Sequence, residues 1–318
     1  MARSYRHLTY EQRCQLYSLN NRGDSQKEMA VALNVSTGTI SRELRRNRAE
    51  SGDYHYTQAQ TKTQERRKIS NRKMSSEMLV TIEEKLKLNW SPVQISGWLK
   101  KQGRQHVSHE VIYRHIRADR AQGGALYAHL RHRGKRYNKQ SKGTAGRGCI
   151  PGRIDIKERP AIVDQKTRLG DWELDTIIGS QHQGAIVSMV DKATKLTKLI
   201  RVQAKTADEV KNAIIKKLNP IRDFVLTLTS DNGKEFAAHQ SISTALGAQF
   251  FFATPYHSWE RGLNEHTNGL VRQYFPKSTN FHDLVEGEVE IVEMLLNNRP
   301  RKSLGFETPL EAFYRLRG

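Results

Sequence analysis

Residues 170–178, GDWELDTII, alternate strictly: Trp172, Leu174, Thr176 and Ile178 fall on one side, Asp171, Glu173 and Asp175 on the other. Successive side chains of a β-strand point to opposite faces, so the segment reads as a strand with an apolar face to bury and an acidic face to neutralise. Three carboxylates at period two repel one another unless a cation or a basic group offsets them. Any fold that uses this strand must bring positive charge to that face.

The segments that follow supply a sheet. Ala185 to Val190, the turn Asp191-Lys192-Ala193-Thr194 and Leu196 to Val202 complete a three-stranded antiparallel meander. Thr206 caps an amphipathic helix, TADEVKNAIIKKLNPI, that Asn219-Pro220 closes. In VLTLTSDNGKEF (225–236) the β-formers stop at Asp231-Asn232-Gly233, a turn signal, so the strand delivers Asp231 to its own carboxyl end. Open α/β sheets bind ligands there, and a carboxylate in that position can hold a hard cation; the plain alternative is an Asp that only starts a turn. A helix near Glu235 to Leu246, a strand Gln249 to Thr254 and a helix from about Trp259 give the order βββαβαβα. That order describes an α/β domain of about 150 residues with a mixed five-stranded sheet. No phosphate loop or Gly-x-Gly-x-x-Gly occurs, which sets aside a dinucleotide fold.

Within the last of these helices, SWERGLNEHTNGLVRQYFPK, Arg261, Asn264 or Glu265, Asn268 and Arg272 recur every three to four residues. A face this polar suggests a functional wall, while Glu265 as an ordinary solvated carboxylate is the bland alternative. Gly262 and Gly269 are costly in a helix interior, about 1 kcal/mol each, and are expected to admit a close backbone approach.

The positive charge is in the other half of the chain. Residues 1–150 hold 30 Lys+Arg against 12 Asp+Glu and residues 151–318 hold 23 against 21, within a total of +20. Such a balance calls for a polyanionic partner gripped by the first half. Thr9 caps a helix carrying Leu16 and Leu19; Ser25 opens a second with Met29, Ala30 and Leu33; after a turn at Asn34-Val35, Ser36 starts a third with Ile40 and Leu44 inside. This is helix-turn-helix spacing. It would present Ser36, Thr37, Thr39, Ser41 and Arg42 to a major groove and set Arg45, Arg46 and Arg48 near phosphates. A polar basic stretch, 51–74, reads as a helical or extended linker along DNA, or as a flexible tether. A second trihelical pattern over 75–119 carries Leu79, Ile82, Leu86, Ile95, Leu99, Val111, Ile112 and Ile116. The glycine-punctuated basic run in 120–165 is expected to order only against DNA. The domain plan is therefore 1–50, 51–74, 75–119, 120–165 and 166–318.

His106, His109, His115, His129 and His132 lack cysteine partners at finger spacing, and Cys14 and Cys149 are too few for a zinc site or a disulfide framework. No apolar run approaches the roughly 18 residues of a membrane span, and the first residues have no signal-like apolar core. A cytoplasmic protein with no membrane partner is expected.

DWELDTIIG, TSDNGKEF, PYHSWERGLNEHTNGLVRQYFPK and LNNRPRKSLGFETPLEAF together resemble the DDE transposases of bacterial insertion sequences, within them insertion-sequence family thirty. The resemblance implies a multidomain chain, all-α helix-turn-helix modules followed by an α/β RNase H-like domain shared in fold with retroviral integrases. It implies a catalytic and metal-binding triad of Asp175, Asp231 and Glu265, the last two separated by 33 residues as in that family. Asp171 and Glu173 compete with Asp175 for the first position, and Glu260 with Glu265 for the third. Two Mg²⁺ ions, replaceable by Mn²⁺, would serve strand cleavage and joining. The resemblance makes Asn264, Asn268 and Arg272 DNA contacts or supports of the acidic site. The implied partner is double-stranded DNA, both terminal inverted repeats and target, held by a homodimer or higher multimer. A transcriptional repressor without catalysis and an RNase H-like nuclease without joining are the alternatives. No His₂Cys₂ module precedes the core, unlike in integrases.

Overall fold

The computed structural model describes residues 7–49, 52–70, 74–104, 107–131, 150–255 and 257–318. His106, His132, Cys149 and the basic run between the last two lie outside them. The chain divides into two compact units, Met1–Ser75 and Ser76–Gly318.

The first unit is helical: α1 (Tyr10–Arg22), α2 (Gln26–Ala32), α3 (Thr37–Asn47) and α4 (Tyr56–Ser70). Thr9 with Gln12 and Ser25 with Glu28 form capping boxes at the first two, and the Ser36 hydroxyl accepts the Thr39 N–H at the third. Leu16, Met29, Leu33, Ile40 and Leu44 make the core expected of a helix-turn-helix, with Asn34 in the left-handed region at the turn. The stretch 51–74, expected as a helical or extended linker or a flexible tether, contains the helix α4. Among the described side chains of that stretch, Tyr54 just before the helix and Ala59 within it are the apolar members in the core, too few for a visible stripe, and polar ties hold its other described part. Buried Arg13 of α1 pairs with Glu43 of α3 at 2.7 Å and donates to Gln60 of α4 at 2.7 Å.

The second unit begins with α5 (Ser76–Lys87), α6 (Pro92–Lys101) and α7 (His109–Ala121), packed through Ile82, Leu86, Ile95, Leu99, Ile112 and Ile116. After the short α8 (Ile162–Gln165) come β1 (Asp171–Ile178), β2 (Ala185–Asp191), β3 (Thr197–Val202), α9 (Ala207–Leu218), β4 (Thr227–Ser230), α10 (His239–Leu246), β5 (Gln249–Phe252), α11 (Gly262–Tyr274), α12 (Glu288–Asn297) and α13 (Pro309–Arg317). The sheet order is β3-β2-β1-β4-β5. The first three strands run antiparallel in sequence, and β4 and β5 add in parallel to β1. This mixed five-stranded sheet with flanking helices is the RNase H-like fold.

Helices cover both faces. Trp172, Leu174, Val187, Met189, Leu228 and Phe250 pack with α9, α10 and Phe313 of α13. On the other face Ile177, Ile186 and Leu199 meet Leu270 and Val271 of α11 and Val289, Val292 and Leu296 of α12. Each such buried side chain contributes about 1.5–3 kcal/mol. The acidic face of β1 therefore ends in Ile177, which seats α11 directly over it.

The three-helix module is joined to the sheet domain around the far end of α11. Arg299 donates to Gln94 of α6 at 2.8 Å and to Gln273 of α11 at 3.0 Å, and Lys101 pairs with Glu307 at 3.1 Å. The Phe306 ring lies where a Cβ on Gly97 would stand. No helix among the described residues is long and apolar enough to cross a membrane.

Asp191 closes the β2–β3 turn. Its carboxylate accepts the Thr194 N–H and hydroxyl, each at 2.7 Å, and the Gly170 N–H ahead of β1 at 2.9 Å. Asp191→Ala leaves buried donors unpaired, at roughly 1–3 kcal/mol for each. A loss of about 3 kcal/mol corresponds to a fall in Tm of roughly 6–12 °C in a unit of this size, measured by thermal unfolding. An unchanged Tm would contradict the assignment.

Candidate active site

The structure sorts the carboxylates that β1 places on one face. Asp171 takes a two-pronged contact from Arg168, 2.9 Å on each side, and accepts the Thr227 hydroxyl at 2.8 Å. Glu173 is buried against Lys192 at 2.8 Å. Both are thus neutralised inside the fold. Asp175, further along the strand, has neither partner.

Asp231 arrives beside it through strand register. Glu173 of β1 pairs with Thr229 of β4 in parallel, and two more residues bring Asp175 level with Asp231. The Asp-Asn-Gly turn holds its shape by side-chain bonds. Asp231 Oδ1 accepts the Gly233 N–H at 2.9 Å, and buried Asn232 donates to the Ala253 carbonyl at 2.7 Å while accepting from Arg153 at 2.5 Å.

One cation joins the two acids. Arg261 Nη2 stands 3.2 Å from Asp175 Oδ2 and Nη1 stands 3.4 Å from Asp231 Oδ2, while Nη2 also donates to the Leu174 carbonyl at 3.0 Å. Arg261 is 8 % exposed. Burial pushes the Asp175 carboxyl above its usual range; Arg261 and the Thr176 N–H oppose this, and neighbouring Asp231 adds to it.

The inner row of α11 is Asn264, Asn268 and Arg272, with Arg261 just ahead of it. Asn264, fully buried, donates to the Leu174 carbonyl at 3.0 Å. Asn268 donates to Asp175 Oδ2 at 2.8 Å and accepts the Ser188 hydroxyl at 2.9 Å, which fixes the carboxylate's orientation. Arg272 donates to the Ile178 carbonyl at 2.5 Å. With 3.6 residues per turn, Asn264 completes this row and Glu265, about 100° further round, does not. Glu265 is exposed, and among the described residues no three His, Cys, Asp or Glu side chains gather in a metal-holding group. Glu260 is occupied in accepting the Thr254 N–H at 2.9 Å. Neither helix glycine has the close backbone neighbour expected of it: a Cβ on Gly269 would meet the Arg131 guanidinium, a side chain, and a Cβ on Gly262 would meet open space. Arg261 stood in the sequence's polar row without a role; its place one turn before Glu265 was the available signal.

Asp175 and Asp231 fit a hard divalent ion, offering only oxygen donors and already converging on a single cation. In the helical unit, Ser36, Thr37, Ser41, Arg42, Arg45, Arg46 and Arg48 are exposed and Thr39 half-buried, and α3 is the second helix of the motif.

Residues 4–47 match the helix-turn-helix domain family. Over 97 % of its length the chain is 44 % identical to the transposase for insertion sequence element IS4351 of Bacteroides fragilis, covering 95 % of that protein. The chain belongs to the insertion-sequence transposase family. The transposase is also 34 % identical to transposase InsI for insertion sequence element IS30A of Escherichia coli K12, over 98 % of this chain and 85 % of that protein. The catalytic core domain of BIV integrase aligns with it over 45 % of this chain and 93 % of that one, at 24 % identity and a TM-score of 0.35.

Because the folded state raises the Asp175 pKa, it holds that proton more readily than the unfolded chain, whose value lies near 3.8. The ionised group therefore costs stability once pH exceeds the raised value, and the cost disappears as pH falls below 3.8. In this transposase Asp175→Asn is expected to unfold at a higher temperature than the parent at neutral pH, with the gap closing on acidification. A gap that is absent or reversed at neutral pH would contradict the burial argument.

Proposed function

We propose that this transposase binds the terminal inverted repeats of its element and uses Asp175, Asp231 and Glu265 to cut DNA strands and join them to target DNA. The observation that carries this reading is the meeting of two carboxylates from adjacent parallel strands on one cation, beneath a polar helix that also bears Glu265. Asp175 and Asp231 would hold Mg²⁺, with Mn²⁺ as a substitute, and Glu265 would complete the set. Bound ions would supply Lewis-acid polarisation of the scissile phosphate and a more acidic attacking water or 3′-hydroxyl.

The chain's own residues prepare that site. Asn268, anchored on Ser188, keeps one Asp175 oxygen in a fixed direction. Lys192 and Arg168 absorb the neighbouring acids, so that the negative charge left over is concentrated at Asp175 and Asp231. Helix α3 offers hydroxyls and guanidinia to a major groove, and the surplus of basic residues in 1–150 supplies phosphate contacts. We assign repeat binding to residues 1–50, a second DNA grip to 75–119 and the chemistry to 166–318. Two ends must be handled together, which calls for a homodimer or higher multimer. The proposed setting is the cytoplasm.

The test is strand transfer with supercoiled DNA carrying the element ends and Mg²⁺. Removing a metal-holding carboxylate forfeits several kcal/mol of transition-state stabilisation, so Asp231→Asn should lose more than about a hundredfold in joining rate. Joining at the parental rate would overturn the enzymatic reading, and cleavage without joined product would favour a nuclease.

Binding of the end duplex should weaken steeply with salt. Arg45→Gln and Arg46→Gln are each expected to reduce the slope of log K against log salt by about 1. A flat response in the parent would contradict the charge argument.

A further inference from the structure

Arg261 occupies the position on which the proposed chemistry depends, and the reaction outlined above gives it no part. Its two terminal nitrogens divide between two carboxylates, at 3.2 and 3.4 Å, and its Nε is buried without a hydrogen-bond partner.

Its position in the chain makes it movable. Arg261 ends the short 3₁₀ turn Ser258–Arg261 and caps α11 from outside, with φ −126° and ψ 32°. Gly262, the next residue, borders open space. Withdrawal of the side chain needs adjustment of this junction and no unwinding of α11, whose body stays fixed by Asn264, Asn268 and Arg272.

Charge then dictates competition. A guanidinium in contact with both carboxylates cannot remain there beside divalent cations, because like charges at about 4 Å repel by roughly 4 kcal/mol per unit pair at an effective dielectric of 20. A displaced arginine needs another anion, and a phosphodiester matches its planar fork.

Resting on the reading of Asp175 and Asp231 as metal ligands, we propose that Arg261 is an exchangeable counterion. It holds the two acids together until divalent ions take them over and a DNA phosphate takes up the freed guanidinium. Metal loading and DNA binding are thereby coupled, each strengthening the other.

The experiment is Mn²⁺ binding to the full-length protein, followed by the electron paramagnetic resonance signal of free Mn²⁺, with and without an end duplex. Parent, Arg261→Gln, Arg261→Lys and Asp231→Asn are compared, with circular dichroism checking the fold. Coupling energies of this kind span roughly 5–150-fold. Arg261→Gln is expected to bind Mn²⁺ at least about fivefold more tightly than the parent without DNA, and to gain less from the duplex than the parent does. Arg261→Lys, which keeps a cation but spans the two acids poorly, should lie between them, and it decides in the same sense if the glutamine variant fails to fold. Equal affinities in the parent and the folded Arg261 variants, with binding lost in Asp231→Asn, would overturn the counterion while leaving the metal site standing. No saturable Mn²⁺ binding in any folded protein, with or without duplex, would overturn the metal site as well.

Discussion

Negative charge packed into the middle of a sheet has to be answered by positive charge from elsewhere in the chain. Asp171, Glu173 and Asp175 share one face of β1, and Asp231 joins them from β4. Arg168 comes from the segment before β1, Lys192 from the β2–β3 turn and Arg261 from the entry to α11. The fully buried pair of Lys192 and Glu173 is costly to break, about 3–5 kcal/mol when one partner goes, because the remaining charge is stranded. The arrangement of turns and helix entry around the sheet centre is therefore tied to its electrostatics as closely as the two apolar layers are tied to its packing.

The same charge accounting explains what could be seen in the sequence. Alternation in β1, the β-formers before Asp231 and the caps at Thr9, Ser25, Ser36 and Thr206 are local signals, and they placed strands, helices and the fold class. Which of Asp171, Glu173 and Asp175 stays at the mouth depends on Lys192 and Arg168 folding back onto β1, which no local pattern encodes. Likewise the period of α11 left Asn264 and Glu265 equivalent, and only the seating of Ile177 and Leu270 decides that Asn264 turns inward. Helix α4 is one of three readings that the sequence leaves open, because Arg13, Glu43 and Gln60 do much of what an apolar stripe usually does.

Helix α11 is fastened unevenly. Its far end is knitted into the three-helix module through Gln273 and Arg299, and Tyr274 donates to the Leu88 carbonyl at 3.4 Å. Around that junction burial lowers the pKa of Arg299 to about 10 and of Arg301 to about 9, Arg131 adding to both and Arg299 to the second, while Tyr274 opposes. The near end, by contrast, is a 3₁₀ turn with Arg261 at its edge and Glu265 one turn beyond at the surface.

Glu265 is proposed to act together with Asp175 and Asp231 on the same divalent ions. Its most direct measurement is metal-dependent rescue of strand joining by Glu265→Cys, since a thiolate is a poor ligand for Mg²⁺ and a better one for softer ions. Joining is expected to be lost in Mg²⁺ and recovered in Mn²⁺, as for Asp231→Cys. Parental joining by Glu265→Cys in Mg²⁺, or rescue of Asp231→Cys alone, would contradict it.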